Sequence, residues 1–123
     1  MEKLEHKLET LGPGAFALRL MGAVDVFSYR DLKQIIEDFV KTQSPPRLYV
    51  DMRDVQYVGS SGWSVFFLQA AALEKLGGAL CLGGMSERVQ RALAMIAPRK
   101  GLLLTATTEA EALSLLMEPP SVL

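Results

Sequence analysis

Polar and apolar residues alternate with a period of two at the start of this chain. Leu4, His6 and Leu8 fall between Lys3, Glu5, Lys7 and Glu9, which predicts a half-exposed strand with His6 on its apolar side. Gly12-Pro13-Gly14 marks a turn. Phe16, Leu18 and Leu20 then alternate with Ala17 and Arg19 and predict a second strand, paired antiparallel to the first. After Asp25 the period changes. Leu32, Ile35, Ile36, Phe39 and Val40 form the stripe of an amphipathic helix, with Lys33, Gln34, Glu37, Asp38 and Lys41 on the opposite face. Ser28 and Asp31 suggest a capping box at its start, and Pro45-Pro46 ends the connection that follows.

From there strands and helices alternate. Leu48 to Met52 predicts a buried strand, followed by a helix from about Ser60 to Leu76 that Gly77-Gly78 closes. Ala79 to Leu82 is a short apolar strand. Ser86 caps a helix carrying Val89, Ala92, Leu93 and Ile96, which Pro98 ends. Leu102 to Leu104 is the last strand, and Thr108 with Glu111 forms the capping box of a final helix through Leu116. The order ββαβαβαβα implies an α/β fold with parallel pairing after the hairpin, joined by right-handed crossovers. Laying each strand beside the previous one in a single direction gives a mixed sheet, an N-terminal antiparallel hairpin and helices mostly on one face. The expectation is a compact β/α superhelix, one domain over 1–118, with a frayed tail at 119–123.

The helix after Ser60 departs from the amphipathic pattern. Trp63, Val65, Phe66, Phe67, Leu68, Leu73 and Leu76 point in nearly every direction, and only Ser64, Gln69, Glu74 and Lys75 are polar between Trp63 and Leu76. Such a helix is buried on both sides or presents a face to a partner. The second reading is favoured, with Trp63 and Leu68 on a docking or self-associating surface and ordinary core as the alternative.

Composition narrows the field. The chain has 123 residues, half of them hydrophobic, enough for a core without disulfides or metals. Lys plus Arg number 13 against 14 for Asp plus Glu, so no net charge draws the chain to nucleic acid or anionic lipid. Arg88 and Arg91, with Arg99 and Lys100 beyond, read as a solvated face on which Glu87 pairs with Arg91. The lone Cys81 sits in an apolar run and reads as a buried core thiol. No run approaches the ~20 apolar residues of a membrane span, and the charged N-terminus has no signal-peptide core. A soluble, cytoplasmic domain is expected, with no cofactor and no metal site.

The chemistry concentrates in Tyr57-Val58-Gly59-Ser60-Ser61-Gly62-Trp63. Two adjacent hydroxyls stand at a helix start, where backbone N–H groups are unpaired and the dipole is positive. A nucleophile elbow needs G-x-S-x-G; Gly59 and Ser61 fit, but Trp63 occupies the second glycine position. The only histidine, His6, lies upstream and reads as a core or rim residue, so a serine hydrolase is disfavoured. No phosphate-binding loop or dinucleotide fingerprint is present, and one His with one Cys gives no metal-ligand spacing. Capping by Ser60, accepting the N–H of Gly62 or Trp63, and phosphorylation remain. They are compatible, because the geometry that favours a cap also stabilises a phosphate.

The order ββαβαβαβα, with Asp54 to Gly62 between the third strand and its helix, resembles the STAS domain family, whose best-known members are bacterial anti-sigma factor antagonists. The family motif reads roughly D-[ST]-[ST]-G-L-G at this junction. A second family position is the Asp of a G-x-x-D run, here Gly22-Ala23-Val24-Asp25. The stretches Leu76 to Leu80 and Met85 to Val89 also look like the family. The resemblance implies a non-enzymatic protein whose first motif hydroxyl, here Ser60 with Ser61 beside it, is phosphorylated by an anti-sigma factor that is itself a serine kinase. It implies release on phosphorylation and a phosphatase that resets the switch. A partner surface over Asp25, Gly59, Ser60, Ser61, Gly62, Trp63, Ser64 and Leu68 follows from it. Gly59 stands in place of the motif Asp, Trp63 in place of Leu, and Ser64 in place of the second glycine. Because some members are scaffold or accessory modules, in stress-signalling complexes or beside transporters, a phosphorylation-independent interaction module is the alternative. A homo-oligomer is compatible with either.

Overall fold

The computed structural model describes residues 3–96 and 103–118. Its elements are β1 (Glu5–Gly12), β2 (Ala15–Val24), α1 (Tyr29–Thr42), β3 (Arg47–Val58), α2 (Ser60–Lys75), β4 (Ala79–Gly83), α3 (Glu87–Ile96), β5 (Leu104–Ala106) and α4 (Glu109–Met117). The strands form one sheet in the order β1-β2-β3-β4-β5. β1 and β2 pair antiparallel and all later neighbours pair parallel. This is the predicted superhelix. Each crossover steps one strand further, so successive helices pack side by side instead of dividing evenly between the faces.

One face carries the larger core. Leu18, Leu20, Leu48, Val50, Met52, Leu80 and Leu82 from the strands meet Leu32, Ile36 and Phe39 of α1, Phe66 and Leu73 of α2, and Val89 of α3. The rings of Phe16 and Phe39 close it edge to face, centroids 5.6 Å apart. The other face holds α4, whose Ala112 and Leu116 pack on Ala15, Ala17, Tyr49, Cys81 and Ala106. Small strand residues bring this helix close. Cys81 is fully buried, and burial pushes its thiol up to about 12, with the Glu111 carboxylate a further contribution.

α4 is also held by charge. The Arg19 guanidinium reaches Glu109 at 3.1 Å, Glu9 at 2.8 Å and Asp51 at 2.8 Å, and Asp51 in turn takes Arg53 at 3.0 Å. Burial opposes ionisation of Asp51, but hydrogen bonds from the Arg53 side chain and backbone and from Arg19 outweigh it. They hold its carboxyl below the ordinary aspartate value.

The helix ends follow the sequence in part. Ser86 Oγ accepts the Val89 N–H at 3.2 Å, and Thr108 Oγ1 accepts the Glu111 N–H at 3.1 Å. Glu111 bonds Thr107 instead of completing the box. α2 ends in a Schellman motif, with Gly78 N–H on Leu73 O and Gly77 N–H on Glu74 O; Gly77 takes φ 81°.

Several expectations are corrected. Ser28 is the N-cap of α1 by position, its carbonyl accepting the Leu32 N–H at 3.1 Å, but its hydroxyl bonds no N–H of the first turn: it donates to Ala23 O at 2.7 Å and accepts the Asp25 N–H at 3.0 Å. Among the described residues no helix covers β1 on the face of His6 and Leu8, so both side chains are exposed instead of lying inside. Asp54 to Val58 continues β3 instead of forming a loop. The last strand lies two residues later than the Leu102 to Leu104 run. Leu102, Pro98, Arg99, Lys100 and the 119–123 tail lie outside the described residues.

Candidate functional site

The hydroxyl-bearing turn is built where β2 and β3 end side by side. Val24 pairs with Val58, and the Gly59 N–H donates to Val24 O at 2.8 Å. That bond joins the turn before α2 to the loop before α1. Gly59, in extended conformation, is the N-cap of α2, and its carbonyl accepts the Trp63 N–H at 3.0 Å. Ser60 is therefore the first helical residue and not the cap its hydroxyl predicted. A cap side chain must project from the residue before the first turn, and glycine has none. The N–H groups of Ser60, Ser61 and Gly62 precede the first intrahelical bond and face the helix's positive end.

Ser60 is exposed and Ser61 half-buried. The first turn of α2 contains no acidic residue, so no carboxylate there offsets its dipole. Gly62 is buried for a steric reason. A Cβ at this position would stand 2.6 Å from Val24 Cγ1, 3.0 Å from Val24 O and 3.0 Å from Val58 Cγ1. Glycine lets the helix seat directly on the strand ends and fixes how Ser60 and Ser61 are presented.

Asp25 shapes the neighbouring loop. Its Oδ1 accepts the Phe27 N–H at 2.9 Å, and its carbonyl accepts from Ser28 and Tyr29 at 3.2 and 2.9 Å. The turn so formed lifts Val26 and Phe27 into solvent, 65% and 72% exposed. Tyr57 is half exposed beside Gly59, where an added Cβ would meet its hydroxyl at 3.2 Å.

On α2, Ser60, Ser64 and Leu68 recur every four residues and share one exposed face; Leu68 is 70% exposed. Trp63 lies on the inner side, 2% exposed against Phe66, and Gln69 is buried as well. The nearly all-round apolar pattern thus divides. Trp63, Val65, Phe66 and Leu73 are core, while Leu68 and Leu76 remain outside.

Asp25, Gly59, Ser60 and Ser61 lie where β2 and β3 end, and Ser64 and Leu68 continue along the exposed face of α2. Gly62 and Trp63 are buried beneath, so Trp63 is core and not part of the docking surface on which the sequence pattern placed it. The apolar trio Val26, Phe27 and Tyr57 escaped the sequence reading. Two large apolar residues directly after the Asp of the G-x-x-D run were its available signal. His6 belongs elsewhere. It pairs with Leu20, four residues down β2 from Val24, roughly 13 Å at strand rise. No base stands beside Ser61 from that quarter.

Among the described residues no three His, Cys, Asp or Glu side chains gather as a metal site, and no helix is long and apolar enough to cross a membrane.

Strand order, the Gly59–Val24 bond and the paired hydroxyls together define a class of small α/β domain that presents a helix start at the end of its sheet. The chain belongs to the STAS domain family, whose model matches residues 9–112. Among solved structures it is similar to an anti-sigma factor antagonist from Mycobacterium paratuberculosis. Identity is 22%, the match covers 94% of this chain and 96% of that one, and the TM-score is 0.76. It is also similar to the anti-sigma factor antagonist SpoIIAA in its unphosphorylated form, at 19% identity, 89% and 96% coverage and TM-score 0.64. The phosphorylated form of the Bacillus cell fate determinant SpoIIAA matches at 18% identity, 89% and 97% coverage and TM-score 0.64. At these identities the likeness carries the fold. No curated protein sequence matches the chain.

Proposed function

We propose that this chain is a non-enzymatic anti-sigma factor antagonist switched by phosphorylation of Ser60. The observation that carries the proposal is the placement of Ser60: an exposed hydroxyl on the first residue of α2, beside unpaired N–H groups and away from any acidic residue of that turn. A phosphate there brings roughly −1.5 to −2 charges to a helix end that stabilises them. The fold tolerates it. A partner packed over Val26, Phe27, Tyr57 and Leu68 meets that charge next to an apolar contact and loses affinity. The partner is an anti-sigma factor that acts as the serine kinase, and a phosphatase resets the cycle.

Incubation with the cognate kinase and ATP adds one phosphate to the wild-type protein and none to Ser60→Ala, read by intact mass. A wild-type protein left unmodified by a kinase active on its own substrate sinks the switch. Pull-down from native extract captures the kinase with wild type and loses it with Ser60→Asp.

One observation favours a second reading. Gly59 gives the turn no carboxylate, where the family motif has Asp, so kinase recognition loses a charged feature. In that reading the same surface is a constant docking face of a scaffold module. Equal capture of the same partners by wild type and Ser60→Asp supports it.

A further inference from the structure

We propose that the β1 edge pairs with the β1 edge of a second copy of this chain, antiparallel about a two-fold axis at His6. Among the described residues β1 hydrogen-bonds only to β2, and it stands at the end of the strand order, so its outer row of N–H and C=O groups is free for a further strand. On its helix-side face no helix among the described residues covers His6 and Leu8, although Leu4 beside them is buried in the core. An open cleft of about 1000 Å³ runs between β1 and α1, lined by Leu4, His6, Leu8, Ile35 and Phe39 among others, and Leu8 is 48% exposed in it.

The sequence of the edge names the occupant. Residues 3–9 read Lys-Leu-Glu-His-Lys-Leu-Glu. An antiparallel copy turned about His6 sets Lys3 opposite Glu9, Leu4 opposite Leu8 and Glu5 opposite Lys7, each pair occurring twice. Every charged residue meets its opposite and each leucine meets a leucine, with facing side chains ~4.5–5.5 Å apart. Lys3 and Leu4 precede β1 but continue its path: a Cβ on Gly22 of β2 would lie 3.1 Å from Lys3 O.

Other two-fold registers are poorer. An axis at Lys7 sets that lysine against itself and Glu5 against Glu9. An axis at Glu5 sets Glu5 against itself and Lys3 against Lys7. An axis at Leu8 keeps Lys7 opposite Glu9 but brings Leu4 to Gly12 and Lys3 to Pro13, which has no N–H to donate. Charges along an exposed edge ordinarily deter pairing. Here they deter strangers and admit one register of the same strand, which is specificity by charge pattern. The proposal goes beyond the Ser60 switch and does not depend on it.

Sedimentation equilibrium over micromolar to millimolar concentrations tests it. The wild-type chain is expected to associate to twice its 13.5 kDa mass. Lys7→Glu places like charges opposite Glu5 and weakens association at least tenfold, as does Glu5→Lys. The double exchange Glu5→Lys with Lys7→Glu restores it, because the pair is then reversed and still complementary. For the register, His6→Cys forms an intermolecular disulfide in air. Leu8→Cys, with its sulfurs about 13 Å apart across the axis, does not. The wild type, whose one thiol is the buried Cys81, is the control. A monomer throughout the series, an association indifferent to Lys7→Glu, or cross-linking through Leu8→Cys in place of His6→Cys overturns the proposal. So does a dimer abolished by Leu68→Glu and untouched by Lys7→Glu, which assembles through α2.

Discussion

At residue 62 the chain has no room for a side chain. Gly62→Ala places a methyl group 2.6 Å from Val24 Cγ1 and 3.0 Å from Val24 O, and the strand end cannot retreat without breaking the Gly59–Val24 hydrogen bond. Overpacking of this kind costs about 1–3 kcal/mol. Urea denaturation of Gly62→Ala is expected to show a loss in that range, and an unchanged midpoint means that α2 shifts freely on the sheet. Gly59 behaves oppositely. Its φ of −84° and ψ of 175° suit any residue, and the nearest obstacle is the half-exposed ring of Tyr57. Gly59→Asp supplies the missing cap acceptor and a negative charge at the positive end of α2. Together these stabilise the protein by roughly 0.3–1 kcal/mol, read as a raised melting temperature in low salt that added salt diminishes.

At the scale of the elements, the charge cluster of Arg19, Glu9, Asp51, Arg53 and Glu109 ties β1, β2, β3 and α4 together. Asp51, 4% exposed, titrates below its ordinary value of 3.8 in the folded chain. Its contribution is therefore fully present above that value and is lost as pH falls through the lower, folded one. Asp51→Asn is expected to lose about 1–3 kcal/mol at pH 7, since Arg19 retains Glu9 and Glu109. Its stability should also fall less steeply than wild type as pH drops below 3.8; parallel curves remove Asp51 from the acid response. The same strands explain what was legible in the sequence. Leu18, Leu20, Leu48 and Val50 keep a period of two because both strands run regularly there. Beyond Arg19 the register with β3 shifts twice, Met21 meeting Asp54 and Ala23 meeting Tyr57. β3 thus gains extra residues, and Val55 and Val58 turn inward off the period. A reading by alternation stops at Met52 and mistakes the rest for loop. The cap of α2 was hidden similarly: two serines promise a side-chain cap, and only the Gly59 hydrogen bond to β2, a tertiary contact, starts the helix one residue earlier. His6 and Leu8 had the correct parity, but periodicity says which face a residue shares and not whether a helix covers that face.

At the scale of the molecule, the proposed switch is a change of surface and not of shape. Ser60 stands outside the core, and the groups that hold its turn are backbone bonds to β2 and packing at Gly62, none of which uses its hydroxyl. A phosphate on Ser60 is then read by what lies around it: Val26 and Phe27 from the loop after β2, Tyr57 from β3, Ser64 and Leu68 from α2. Their exposure leaves the fold little dependent on them, whereas interface affinity commonly rests on a few large apolar side chains, each contributing more than ~1 kcal/mol. Phe27→Ser and Leu68→Glu are each expected to weaken capture of the kinase partner about tenfold or more, with melting temperatures unchanged. Phosphorylated wild type should release the partner while its amide exchange stays native throughout the sheet. Loss of exchange protection in β2 or β3 on phosphorylation would show instead that the modification loosens the strand ends. Release would then come from the fold itself, and Phe27→Ser would leave the difference between the two states intact.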